Sequence, residues 1–316
     1  MNRFKQSARQ LGLALLAVSA AVLAGCGGGS EPIEKFAPKR IMAFGDESST
    51  ITSQGKKYTV NAVDTNGNLV CMANPIWVQT VAAGYGMVFP QCNPENIAAP
   101  QGQMYAKAGA KVADVAAQLD VFFSTGSFNA HDLVTMMAGA NDILELYSQF
   151  PAVSRDSLIN SARDIGKRWA AQVNRVADAG GRVVVTTLPD QGVTPYALKE
   201  KQTKQDTDRA KFLTELTTEF NTYFRLNIRN DGRAIGLVLA DEMTQTASRY
   251  PAYASLINAT DAMCLTTVTI ADCTTKTILA ESDPATWLWA NDKLLSPAGH
   301  HMIGQSALSR AVNNPF

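Results

Sequence analysis

Four short apolar runs, each stopped by loop-forming residues and separated by long helical patterns, constrain this chain more than any other feature. Arg40 to Phe44 stops at Gly45-Asp46, and Leu133 to Ala138 stops at Gly139; Arg182 to Thr187 and Ile235 to Ala240 likewise run into loops. The clearest helical pattern, Asp156 to Ala179, places Leu158, Ala162, Ile165, Trp169, Val173 and Val176 on one face and ends at Gly180-Gly181. A second, Thr207 to Arg229, carries Phe212, Leu216, Phe220 and Phe224 at similar spacing, and a third begins at Pro297 and runs to about Val312. Strand-helix alternation of this kind predicts an α/β fold, with a central parallel sheet covered by helices on both faces and right-handed crossovers. Lys57 to Met72, with Asn66-Gly67 at its turn, predicts a β-hairpin inserted after the first strand. The reactive ends of such a sheet are the loops after its strands, so candidate chemistry is sought there.

The first 39 residues have a different character. Arg3, Lys5 and Arg9 precede the apolar run Leu11 to Ala24, which has the length of a secretory signal core and is short for a bilayer span. Leu23-Ala24-Gly25-Cys26 resembles a bacterial lipobox, in which the cysteine receives lipid after cleavage. Residues 1–25 are therefore expected to be a lipoprotein signal peptide, and 26–39, opening with Gly27-Gly28-Gly29-Ser30, a flexible tether. Residues 40–316 are expected to form a single domain. The expected location is the bacterial cell envelope, with the lipid on Cys26 in the outer membrane, because Gly27 rather than aspartate follows the cysteine.

Cleavage would leave 25 basic against 28 acidic residues, a net charge of −3. Without a basic run in the body, nothing supplies the electrostatic footprint of a nucleic-acid binder. Four cysteines remain besides Cys26, an even number in a compartment that permits disulfides. Three pairings are possible; Cys71 with Cys92 and Cys264 with Cys273 close the shortest loops at the least chain-entropy cost. No C-x-x-C or H-x-x-x-H spacing occurs, so neither a metal site nor a cofactor is expected.

The loop motifs point further. Phe44-Gly45-Asp46-Glu47-Ser48 ends the first strand, Tyr105-Ala106-Lys107-Ala108-Gly109-Ala110 lies near the next strand end, and Gly139-Ala140-Asn141-Asp142 ends the one after. A late block runs from Leu288 through Trp289-Ala290-Asn291-Asp292-Lys293-Leu294-Leu295-Ser296-Pro297-Ala298-Gly299-His300. Together with Leu188 to Pro195 and the stretch from Tyr250 to Cys264, these blocks resemble those of the GDSL or SGNH hydrolases, a family of serine esterases and lipases. The resemblance spans residues 40–316. It implies an SGNH-hydrolase-like, flavodoxin-like three-layer sandwich.

Carried over residue by residue, the family's nucleophile position falls on Glu47, its acid on Asn291 and its base on Leu294. All three are substituted. A serine hydroxyl attacks an ester only when a neighbouring base takes its proton and an acid orients that base, and leucine cannot accept a proton. Gly109 and Asn141, by contrast, match the family's oxyanion-hole donors. Asp46 and Asp142 match residues with structural duties, and Trp287 and Trp289 stand either at the pocket rim or in plain packing.

Backup chemistry has few candidates, because the chain has three histidines. His131 precedes a strand and belongs at the wrong end of the sheet; His300, with Ser48 as nucleophile, is the remaining base candidate against a simple packing role. Glu47 has three readings: a carboxylate seated in the oxyanion pocket, a surface glutamate, or a covalent nucleophile that would leave hydrolysis of its intermediate without a base. The functional expectation is an impaired or inactive SGNH-like lipoprotein that binds an acyl, acetylated-glycan or protein ligand. The alternative is a rewired serine esterase using Ser48 and His300.

Mass spectrometry of the mature protein should find Cys26 at the N-terminus with lipid attached, and sucrose-gradient fractionation should place it in the outer membrane. An unmodified Cys26 would refute the anchor.

Overall fold

The computed structural model describes residues 35–316, and Phe36–Phe316 make one compact unit. The expected signal peptide, Cys26 and most of the tether lie outside the described residues. Five parallel strands, β1 (Arg40–Gly45), β2 (Gly102–Met104), β3 (Asp132–Met137), β4 (Arg182–Thr186) and β5 (Ile235–Val238), form the central sheet in the order β2-β1-β3-β4-β5. This is the flavodoxin-like order, which turns back on itself beside β1.

Eight α-helices are described: α1 (Trp77–Gly84), α2 (Val112–Thr125), α3 (Ala140–Ser148), α4 (Arg155–Asp178), α5 (Pro195–Thr203), α6 (Arg209–Asn227), α7 (Ala240–Arg249) and α8 (Pro297–Asn313). Alternate strand residues serve opposite layers. Met42, Phe44, Val134, Met136, Val183 and Val185 pack with α2, α3, α4 and α6. Ile41, Ala43, Leu133 and Val184 pack with α1, α7 and α8. Burial on both faces explains why these strands are continuously apolar rather than alternating. The result is the three-layer α/β sandwich expected from the sequence.

The apolar stripe of α4 is buried as its spacing predicts, and Ser154 caps the helix by accepting from Ser157 N–H. Its closest neighbour is α6. At Gly166 the two helices approach so tightly that a Cβ would sit 2.3 Å from the Phe220 carbonyl oxygen, which is why a glycine interrupts an otherwise good helix. A smaller parallel pair, β6 (Asn258–Ala262) and β7 (Trp287–Trp289), lies beside the main sheet.

Both short-loop disulfides are present, Cys71–Cys92 and Cys264–Cys273, spanning 21 and 9 positions. The inserted hairpin is present but short. The turn forms, with Gly67 at φ +88° and Asp64 Oδ1 accepting from Asn68 N–H, and Asp64 N–H to Asn68 O and Val70 N–H to Ala62 O, each 2.9 Å, join the arms around the bridge Val63–Leu69. The backbone of Asn61 bonds the Cys273–Thr275 segment instead, donating to Cys273 O and accepting from Thr275 N–H. A neighbouring loop thus takes the hydrogen bonds that a ladder would have used.

Among the described residues, no helix is long and apolar enough to cross a membrane. Gly166→Ala should lower stability by about 1–3 kcal/mol, because the new methyl meets backbone that cannot rotate away. A thermal midpoint equal to wild type would show that α4 and α6 can separate without cost.

Candidate functional site

The site begins with a backbone constraint. Gly45 ends β1 at φ +141°, and a Cβ there would lie 2.0 Å from the carbonyl oxygen of Met137 at the end of β3. Gln118 of α2 then holds the Gly45 peptide from both sides, its Oε1 accepting from Gly45 N–H and its Nε2 donating to Gly45 O, each at 2.9 Å. Asp46 follows, almost wholly buried, and caps a 3-10 turn over Glu47–Ser49 by accepting from Ser48 N–H at 2.9 Å. Burial first, and the negative charge of Glu47 second, hold the Asp46 carboxyl well above the usual carboxylate range.

This turn carries Glu47, half-buried, to the mouth between two further loops. Its Oε2 accepts from Gly109 N–H at 2.8 Å and from Asn141 Nδ2 at 3.0 Å. Gly109 offers its N–H from a left-handed turn, φ +75°. Asn141 stands in the first turn of α3, where Gly139 at φ +120° lets β3 enter the helix, and its Nδ2 also donates to Ala110 O at 3.2 Å. Asp142 ties the same loops together by accepting from Val112 N–H at 3.0 Å, and burial pushes its pKa up to about 6. Beside Gly109, a cleft of about 430 Å³ opens between the 104–110 loop and α2.

The late block is braced separately. Asn291 Oδ1 accepts from Lys293 N–H at 2.9 Å and Leu294 N–H at 2.7 Å, so its side chain shapes its own loop. Asp292 O accepts from Tyr196 N–H, Leu295 O from the Thr59 hydroxyl, and Ser296 caps α8 by accepting from Gly299 N–H. Leu294 is half-buried. Trp287 and Trp289 are buried in packing rather than at a rim, with the Trp289 indole donating to Ala259 O.

His300 is buried in α8, and its Nδ1 accepts from Trp77 N–H at 3.4 Å. Burial, with a smaller effect from Lys57, pushes its pKa down to about 3. Ser48 is half-buried, and no hydrogen bond joins it to His300 among the described residues. His131 lies exposed immediately before β3, at the opposite end of the sheet.

Two contributors escaped the sequence reading. Gln118 looks like any polar residue of an amphipathic helix, yet it holds the Gly45 peptide from which the Glu47 turn departs. Lys57, fully buried, donates to three carbonyls, Cys71 O, Ala73 O and Asn74 O, at 2.7–2.9 Å. A lone lysine in a polar insertion carries no signal of such a role. Among the described residues, no group of three or more His, Cys, Asp or Glu side chains is placed to hold a metal ion.

Comparison with known proteins gives the class. The family model described as GDSL-like Lipase/Acylhydrolase matches residues 41–303, and the chain belongs to that family. Similar solved structures include a member of the lipolytic protein G-D-S-L family from Veillonella parvula DSM 2008, at 12% identity and TM-score 0.42, covering 85% of this chain and 96% of that one. The acetylxylan esterase Axe2 from Geobacillus stearothermophilus has 14% identity and TM-score 0.42, with 88% and 96% covered. LAE5, an alpha/beta hydrolase enzyme from the metagenome of Lake Arreo, Spain, has 17% identity and TM-score 0.42, with 87% and 95% covered. No curated protein sequence matches the chain.

The depressed His300 pKa has a definite sign in stability. Between about pH 6.5 and pH 3 the unfolded chain binds a proton that the folded chain does not, so stability falls as pH drops through that window and His300 adds no further loss below it. His300 should therefore show no imidazole titration by NMR between about pH 5 and pH 8, and His300→Gln should flatten the acid limb of the stability curve. A midpoint near pH 6.5 would restore His300 as a candidate base.

Proposed function

We propose that this family member is a non-catalytic envelope lipoprotein, anchored through Cys26 at the outer membrane, whose site binds an acyl, acetylated-glycan or protein ligand without cleaving it. The observation that carries the reading is the Glu47 carboxylate, seated on Gly109 N–H and Asn141 Nδ2. In the family mechanism, donors at those positions stabilise an oxyanion that exists only during reaction. Here the Glu47 side chain occupies them in the resting protein. A carboxylate so stabilised is also a poorer nucleophile, and Leu294 offers no base to activate water.

Ser48 with His300 does not restore the chemistry in this reading. The His300 Nδ1 lone pair already accepts from Trp77 N–H, and a group with a pKa near 3 takes no proton from a serine at neutral pH.

Wild-type protein should hydrolyse short p-nitrophenyl esters no faster than background. Single reversions should recover little, because triad members act as a unit. The triple variant Glu47→Ser, Asn291→Asp, Leu294→His should gain measurable turnover, since the donors and the loop supports are retained. Robust wild-type hydrolysis that disappears in Ser48→Ala or His300→Ala would overturn the proposal in favour of the rewired esterase.

A further inference from the structure

The Glu47 carboxylate has two oxygens, and the fold uses one. Oε2 takes both donors, while Oε1 accepts from no group among the described residues and is not sealed from solvent. This inverts the polarity of the site. An open oxyanion hole presents N–H donors and selects a carbonyl or anionic oxygen. With those donors occupied from within, the opening instead presents a charged acceptor, which selects a donor.

The surroundings narrow the class of donor. Hydrogen bonds between an ammonium and a carboxylate are roughly twice as strong as neutral ones, so a cationic head is favoured over a hydroxyl. An exposed ion pair by itself contributes about 0–1 kcal/mol, so a cation needs a further hold. The cleft of about 430 Å³ that borders Gly109 supplies one for a ligand that reaches past Gly109 from Glu47, which is not itself part of the wall; Met104, Ala117 and Val121 are. Two positive groups stand nearby. Lys111 is bonded to Glu145, and Lys107 at the cleft is exposed, where solvent and salt screen its repulsion.

We propose that Glu47 makes this a binding site for a primary ammonium carried on an apolar body, the ammonium donating to Oε1 and the body lying in the cleft beside Gly109. The proposal rests on the non-catalytic reading and, of its acyl, acetylated-glycan and protein ligands, favours a protein, whose lysine side chains carry such a head.

The test uses the purified full-length chain labelled with ¹⁵N-glycine, titrated with n-butylammonium and, separately, with N-butylacetamide, which has the same body but a carbonyl head. The Gly109 amide signal should respond to butylammonium at concentrations about tenfold lower than to butylacetamide. Glu47→Gln preserves size and can still satisfy both donors through its carbonyl oxygen, but it turns an NH₂ outward; its butylammonium response should weaken about tenfold. Glu47→Ser releases the donors and should reverse the preference toward butylacetamide. Equal or tighter binding of butylacetamide by wild type would overturn the proposal, as would a butylammonium response unchanged in Glu47→Gln. The wild-type comparison needs no variant, so it holds even where a substitution impairs folding. Ester hydrolysis by wild type would instead defeat the non-catalytic reading itself, a result distinct from an inactive protein that fails to prefer the ammonium.

Discussion

At the C-terminal ends of β1 and β3 the two chains approach so closely that only glycine fits at position 45, where any Cβ would overlap the Met137 carbonyl. The same carbonyl accepts from Asp46 N–H at 3.2 Å, and Gln118 grips the Gly45 peptide from the helix layer. These contacts determine the direction in which the chain leaves the sheet. Asp46 then has a buried position from which to cap the next turn, and residue 47 is delivered to the mouth between the 104–110 loop and the start of α3. A different exit from β1 would leave Gly109 and Asn141 without a common partner.

The supports around the site do not depend on the identity of the residue at position 47. Gly109 offers a backbone N–H, Asn141 is placed by a helix start, and Asp142 binds Val112 N–H. The late loop is likewise held by interactions that do not involve the side chains of Asn291 or Leu294: the Thr59 hydroxyl on Leu295 O, the Tyr196 N–H on Asp292 O, and the Ser296 cap. Asn291 still shapes its loop through a side-chain oxygen, a task that aspartate performs equally well. Loop architecture and reaction chemistry therefore rest on different atoms. In the proposed reading, Glu47, Asn291 and Leu294 take away the groups a hydrolase needs while these loop contacts remain.

Legibility in the sequence followed the range of the interactions. The stripes of α4 and α6 and the buried strands were readable because burial imposes a period on residues a few positions apart. The disulfides were readable because short loops close at little entropy cost. The inserted hairpin was readable near its turn, where Asp64 bonds Asn68 and Val70 bonds Ala62, but not further out, where the backbone of Asn61 bonds Cys273 and Thr275 instead. Lys57 and Gln118 gave no warning for the same reason: what each does depends on carbonyls or peptides that only folding brings near.

The motifs alone pointed to the family and the parallel α/β architecture, and the proposed assignment of Glu47, Asn291 and Leu294 to the family's serine, aspartate and histidine positions rests on them too. On that assignment residue identity is enough to carry the proposal, because a leucine has no lone pair and a glutamate no hydroxyl wherever they are placed. The tertiary structure decided what the replacements do instead. It seated one oxygen of Glu47 on two donors drawn from separate loops and left the other open, and it buried His300 against Trp77, where desolvation suppresses its basicity. Hydrogen-bond partners and solvent exposure are properties of juxtaposition across the sheet, and no local pattern encodes them.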